Sequence, residues 1–514
     1  MASLDDTRYR QQQEEFVSNH GGTTPQEIIF LLLPNVLSVF LTISILDLMG
    51  KSLNRNLRVV LEFILTVVPS ILCCTILSEH LFHVCAIMLL LSLITLLLIS
   101  FKKSTSGKRI STLNHKNLSF LTNFRAWTNI TTVICILAVD FQIFPRKFAK
   151  TEVYGYSLMD TGVGLFIIAN ALVAPEARGI SVDEKINLFQ GMIKSLKSCI
   201  PLLILGFGRF FAIEYLGYQR HITEYGVHWN FFITLAFVKL FTSMISKTIS
   251  SRYSLLSGLW ILAMYEYGLN AKGLKKWILS EGSRDDFISA NREGLVSIPG
   301  YVGLYLIAVS IGKLIHSTYQ NLSANSKQNS QFLEIKLFKF EIRVAYNQPM
   351  ILCIKLSLIA SHFCAVMLVC DSFLSVSRRL ANAGYCAWIV TLAASLLTLL
   401  LLVEILIDVF VRSKIENENQ KTRKVYAKER NLPKAKAHFD NEENFSENLE
   451  IFEAVNYNGL GFFLLANILT GTVNMSVKTL YVDDMFALKI LVSYLAVSIV
   501  SVLVCYRHKV QIRL

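Results

Sequence analysis

An all-α polytopic membrane protein is encoded by this 514-residue sequence, on the strength of three features. Charged residues make up only 17% and the AVILMFWYC set 53%, with a mean hydropathy of +0.47, whereas ordinary globular domains carry about 25% charge. The charges are clumped, so apolar runs of about 20 residues recur, the length that crosses a bilayer as a helix. Basic residues gather in alternate loops between those runs. Topology therefore accounts for the net charge of +13 better than nucleic-acid binding does. Together these features exclude a disordered chain, a secreted disulfide scaffold and a conventional soluble enzyme.

Thirteen segments meet the length requirement. Residues 1–27 are polar and acidic, with Asp5, Asp6, Glu14 and Glu15. They lack the basic start of a cleavable signal, so the first helix, from near Ile28, is expected to be retained. Further segments begin near Leu57, Leu81, Ala126, Leu158, Cys199, Trp229, Ser254, Ile298, Met350 and Ala383, bringing eleven within 28–411. The segment from Cys199 is weakened by Arg209 and Glu214. Residues 412–456 mix Lys-Arg blocks with Glu and Asn and read as a charged cytosolic loop. Two more segments, from Tyr457 and Phe486, fill 457–505, and 506–514 is a basic cytosolic tail. Lys and Arg favour one set of loops over the other roughly two to one, which puts the amino terminus outside the cytosol and the carboxyl terminus in it. The ten cysteines lie in or beside apolar runs without a CxxC pair, so neither a disulfide framework nor a zinc knuckle is indicated. Five Asn-x-Ser/Thr sequons, Asn474 among them, read as chance.

Chemistry is sought where residues break the topology's own rules. Asp140 lies near the end of an apolar run, and Pro145, Arg146, Lys147 and Lys150 follow on the non-cytosolic side, where bases should be scarce. Two readings fit: an anchor in which Asp140 pairs with one cation while the others snorkel, or a site for an anionic lipid with acid/base chemistry. His221, Glu224 and His228 share a helical spacing that permits a metal. The stretch is no HExxH and contains Gly226, however, and headgroup hydrogen bonding or an interfacial belt serves as well, so no metal site is expected. Ser289–Gly294, with Asn291 and Arg292, and Ser375–Asn382, with Arg378 and Arg379, repeat this polar character on the same side. Arg209, Lys239, Glu266 and Lys355 are left without an assigned role. Nothing supports covalent catalysis, since thiolate nucleophile, Ser–His–Asp order and phosphate-cradling glycine loop are all missing from the pattern.

These residues resemble a family, the GPI-inositol acyltransferases of fungi and animals. The likeness runs through Glu15–Thr24, Ala138–Glu152, Ser157–Gly164, His221–Phe232, Ser289–Gly294, Ser377–Asn382 and Phe462–Met475. Lys147 stands where the family usually has a second arginine, and Leu380 where Phe or Met is common.

The resemblance implies a multi-pass endoplasmic-reticulum enzyme with about thirteen spans, a lumenal amino terminus and a lumenal-side polar site. Such an enzyme transfers a fatty acyl group, typically palmitoyl, from acyl-CoA as co-substrate to the inositol 2-hydroxyl of glucosaminyl-phosphatidylinositol. No cofactor is expected, and the partners are those two substrates and membrane lipid. By position, the family's essential pair corresponds to Asp140 and Lys150. Asp140 suits a general base for a weakly acidic alcohol, and Lys150 suits charge stabilisation. Arg146, Lys147, Arg292, Arg378 and Arg379 are candidates for substrate phosphates; His221, Glu224, His228 and Asn291 for other headgroup contacts. The family's inhibitors imply an acyl-chain tunnel. The competing reading is a glycolipid transporter or scramblase using the same polar cluster.

Overall fold

The computed structural model describes residues 4–18, 20–50, 53–101, 118–179, 188–216, 222–271, 273–280, 282–324, 331–337, 340–346, 348–408 and 449–512. His221 and most of the charged 412–456 stretch lie outside these residues.

A helix covers each of the thirteen apolar segments. Following α1 (Leu4–Val17) come α2 (Pro25–Met49), α3 (Arg55–Cys74) and α4 (Leu81–Phe101). Next are α5 (Ser119–Ala138), α6 (Leu158–Ala171) and α7 (Leu188–Leu216). A single turn, α8 (Ile222–Tyr225), leads to α9 (Phe231–Thr248) and α10 (Ser254–Ala271). Two short helices, α11 (Leu274–Leu279) and α12 (Phe287–Ala290), precede the 33-residue α13 (Arg292–Ala324). The carboxyl-terminal part holds α14 (Gln348–Leu374), α15 (Ala383–Ile407), α16 (Glu450–Tyr457), α17 (Gly459–Ser476) and α18 (Asp484–Arg507). Nine of the described helices are long and apolar enough to cross a membrane: α2, α3, α4, α9, α13, α14, α15, α17 and α18.

Two features depart from the expected all-α chain and its charged loop. Residues 331–337 and 340–346 form an antiparallel hairpin, β1 and β2, within the otherwise helical chain. Its signal is the period-two alternation of Leu333, Ile335 and Leu337 with Glu334 and Lys336. Within the stretch read as a charged loop, α16 is a helix with Ile451, Phe452, Ala454 and Val455 buried against α5 and α18.

Helix starts are fixed by side-chain caps. Thr24, Ser157, Asn230, Asn382 and Asp483 each accept a backbone N–H in the first turn of α2, α6, α9, α15 and α18. Helices α5, α6, α13 and α15 form the buried centre, whereas α4 and α14 expose most of their apolar surface. Close crossings depend on missing side chains: a Cβ on Gly258 of α10 would sit 2.8 Å from the Gly303 carbonyl of α13.

Candidate active site

The chain leaves α5 in a tight turn that carries Asp140 and is locked from within. Arg146 folds back so that its guanidinium donates to the carbonyls of Val139, Phe141 and Phe144 at 2.8–3.1 Å. Its other face lies 3.9 Å from the Phe16 ring centroid. Lys147 turns away from the turn to Glu27 at 2.7 Å and Glu79 at 2.8 Å. Downstream of this turn, the 152–156 loop is bridged to the amino-terminal His20–Thr23 segment through Thr23 N to Tyr156 O (2.7 Å) and Glu152 N to His20 O (3.1 Å). Gly22, at φ +79°, has no room for a Cβ there, because Tyr156 O would be 2.4 Å away. His20 and Thr23 thus hold the loop that follows Lys150, and Gly22 lets the two segments approach.

Asp140 Oδ2 accepts a hydrogen bond from Asn474 Nδ2 at 2.7 Å. Lys150 Nζ lies 2.7 Å from Glu224 Oε2. Arg378 is buried, donating to Asp160 Oδ1 at 2.6 Å and standing 3.8 Å from Glu224. Asp160 in turn accepts from the backbone and hydroxyl of Thr151. Burial pushes the Asp140 carboxyl up to about 6, against the pull of the Asn474 bond and the Arg146 and Lys150 charges. Burial also acts on Glu224, but Lys150 and Arg378 outweigh it and hold that carboxyl at about 2.

These groups cap a cavity of about 910 Å³. Asp140, Lys150, Glu224, His228 and Arg378 line its polar end. One face of α5, from Val139 back to Phe124, forms a wall about 22 Å long at the helical rise. Trp127, Leu396, Leu400 and Phe463 help close the apolar body. A polar head over a long apolar body fits an amphiphile with a reactive headgroup.

Other residues singled out by the sequence fall into supporting positions. Arg379 pairs with Glu293 at 2.9 Å and approaches Glu152 at 4.0 Å. Arg292 is fully buried, donating to the Ser280 carbonyl and lying 3.7 Å from Glu293. Asn291 Oδ1 accepts the backbone N–H of His228 at 2.8 Å and so shapes the Gly226–Trp229 turn. His228 itself is exposed at the cavity, between the rings of Phe210 and Phe287. Among the described residues no three His, Cys, Asp or Glu side chains converge to hold a metal. The sequence gives no sign of a role for Asp160 or Asn474, the latter in the last turn of α17 within a sequon.

Fold and site define a multi-pass membrane protein with a polar-headed apolar cavity. The chain belongs to the GWT1 family, whose model matches residues 9–505. It is 33% identical to the human glucosaminyl-phosphatidylinositol-acyltransferase PIGW, over 97% of this chain and 98% of that protein. GPI-anchored wall transfer protein 1 of Aspergillus oryzae is 32% identical over 96% of each chain. An uncharacterized Arabidopsis thaliana protein is 33% identical over 86% of each.

Proposed function

We propose that this protein is an acyltransferase that acylates glucosaminyl-phosphatidylinositol in GPI-anchor synthesis, with acyl-CoA as donor and the inositol 2-hydroxyl as acceptor. The acyltransferase activity for which the PIGW relatives are named supports the reaction. The observation carrying the residue roles is Asp140, poised at the polar end of a cavity with an apolar body. The acyl chain lies along α5, with its thioester carbonyl near the Asp140 turn. Asp140 takes the hydroxyl proton as oxygen attacks that carbonyl. Lys150, which uses one of its three N–H donors on Glu224, has others for the developing oxyanion. Collapse of the tetrahedral intermediate expels CoA thiolate, which takes the proton from Asp140 to leave as thiol, and yields the inositol ester. A base near 6 is largely ionised at neutral pH yet basic enough to share a proton in the transition state.

The protein resides in the endoplasmic-reticulum membrane with thirteen spans, the amino terminus and Asp140 turn facing the lumen and the carboxyl terminus the cytosol. Incubating purified protein with radiolabelled palmitoyl-CoA and glucosaminyl-phosphatidylinositol tests the activity. Acylated lipid is the expected product, and headgroup translocation without acylation would replace this reading with a transporter.

A further inference from the structure

Three cations line the cavity: Lys150, Arg209 and Arg378. The first is held by Glu224 and the second-named arginine of the polar head, Arg378, by Asp160. Arg209 differs. Among the described residues it makes no hydrogen bond or ion pair, although its charge reaches Glu224. It is exposed on α7 in a run of apolar residues, beside Ile204, Phe207 and Phe211, which are also exposed. An arginine with no partner on a lipid-facing helix is costly unless a ligand or the interface completes it.

The cavity wall is open at this place. Ile204, Gly208 and Arg209 of α7 line the cavity on one side, and Ile468, Gly471 and Met475 of α17 on another. Ile468 and Met475 are exposed as well. A Cβ added to Gly208 or to Gly471 would meet nothing within 4 Å. Helix α7 packs on α9, whereas α17 packs on α5 and α18. The remaining candidate phosphate ligands are already engaged: Arg146 by carbonyls, Lys147 by Glu27 and Glu79, Arg292 by Ser280 and Glu293, and Arg379 by Glu293.

We infer that the gap between α7 and α17 is a lateral portal for the acceptor lipid, and that Arg209 binds its phosphodiester. The lipid's two chains stay in the bilayer outside Ile204 and Ile468 while the inositol reaches inward to Asp140. The portal and the acyl-chain wall along α5 are then separate parts of one cavity, so donor and acceptor can occupy it together. This inference rests on the acyltransferase reading. The phosphate chemistry alone would also suit CoA, and the kinetic arms below separate the two.

Kinetics in nanodiscs test the assignment. Arg209→Gln is expected to raise KM for glucosaminyl-phosphatidylinositol on the order of tenfold, as loss of a charge-assisted hydrogen bond does, with KM for palmitoyl-CoA in place. Arg209→Lys should recover part of that loss. Gly208→Trp and Gly471→Trp enter open space, so they should fold and slow the reaction by blocking the acceptor. A raised donor KM with an unchanged acceptor KM would overturn the assignment, giving Arg209 to CoA. As a measurement free of variants, a phosphatidylinositol probe with a photoactivatable chain should label residues 204–211 or 468–475 of the wild-type protein. Labelling confined to other helices would remove the portal. Wild-type protein that labels there but transfers no acyl group would sink the acyltransferase reading while keeping the lipid site.

Discussion

Asn474 donates its side-chain amide to Asp140 Oδ2 at 2.7 Å, joining the end of α17 to the turn beyond α5. The partner is neutral. An Asp140 that served only as an anchor would face one of the neighbouring cations, yet Arg146 is spent on carbonyls and Lys150 on Glu224. Asp140 is thus held in place by a neutral partner, which suits the general-base role proposed for it.

That bond sets a pH dependence. Asp140 must be ionised to accept a proton, so activity should fall as pH drops through about 6. The Asn474 bond favours the ionised form, and removing it raises the carboxyl further. Asn474→Ala should therefore move the acidic limb of kcat/KM to higher pH. A limb that stays in place would disconnect Asn474 from the proton transfer.

Asp140→Asn keeps the side chain's size and removes its basicity. The loss of turnover per folded molecule should be on the order of 10²–10⁴-fold. Lys150→Met should also be severe, and the double variant much milder than the product of the two, because residues acting as a unit are not additive. Near-wild-type turnover by folded Asp140→Asn would take Asp140 out of the mechanism.

For Arg378 the sequence suggested a substrate phosphate, whereas its geometry points first to stability. It pairs with Asp160 where both side chains are about 5% exposed. Arg378→Gln leaves a buried carboxylate unpaired, a change that costs about 3–5 kcal/mol, so thermal stability should drop. Adding Asp160→Asn should restore part of it. If Arg378→Gln instead raised KM at unchanged melting temperature, the phosphate role would return.

The helical segments were legible because bilayer thickness imposes a length and composition that a single chain displays openly. The Asp140 block was equally visible, as charges placed where a membrane disfavours them. Pairing was not legible. Lys150 and Glu224 meet across 74 residues, and Arg378 and Asp160 across 218. Nothing local distinguishes a cation that will find a carboxylate from one that will not, so Arg378 was expected on a phosphate and Arg209 was left without a role. The hairpin and α16 were overlooked for a related reason: each is a short amphipathic stretch beside charge runs, and composition there outweighs period.

Orientation has its own test. A tag at Leu514 should be reached by protease in sealed microsomes, and one before Thr7 should be protected, since the proposed arrangement puts these ends on opposite sides. Both ends sharing one side would remove the thirteen-span arrangement and move the Asp140 turn with it.

The acyl-chain wall along α5 predicts a ruler. Thr132 and Thr128 both line the cavity, and they sit 8 and 12 residues before Asp140, hence about 12 and 18 Å along the helix axis. A large side chain at either position fills open volume instead of leaving a hole, so its first effect should fall on the length of chain admitted. Thr128→Trp should slow transfer from palmitoyl-CoA while sparing octanoyl-CoA. Thr132→Trp, closer to the reacting end, should disfavour both but the longer donor more. The measurement is the ratio of kcat/KM for the two donors, which cancels changes in the amount of folded protein. A ratio unchanged in both variants would place the acyl chain elsewhere in the cavity, and the donor would then have to approach Asp140 from a side that α5 does not wall.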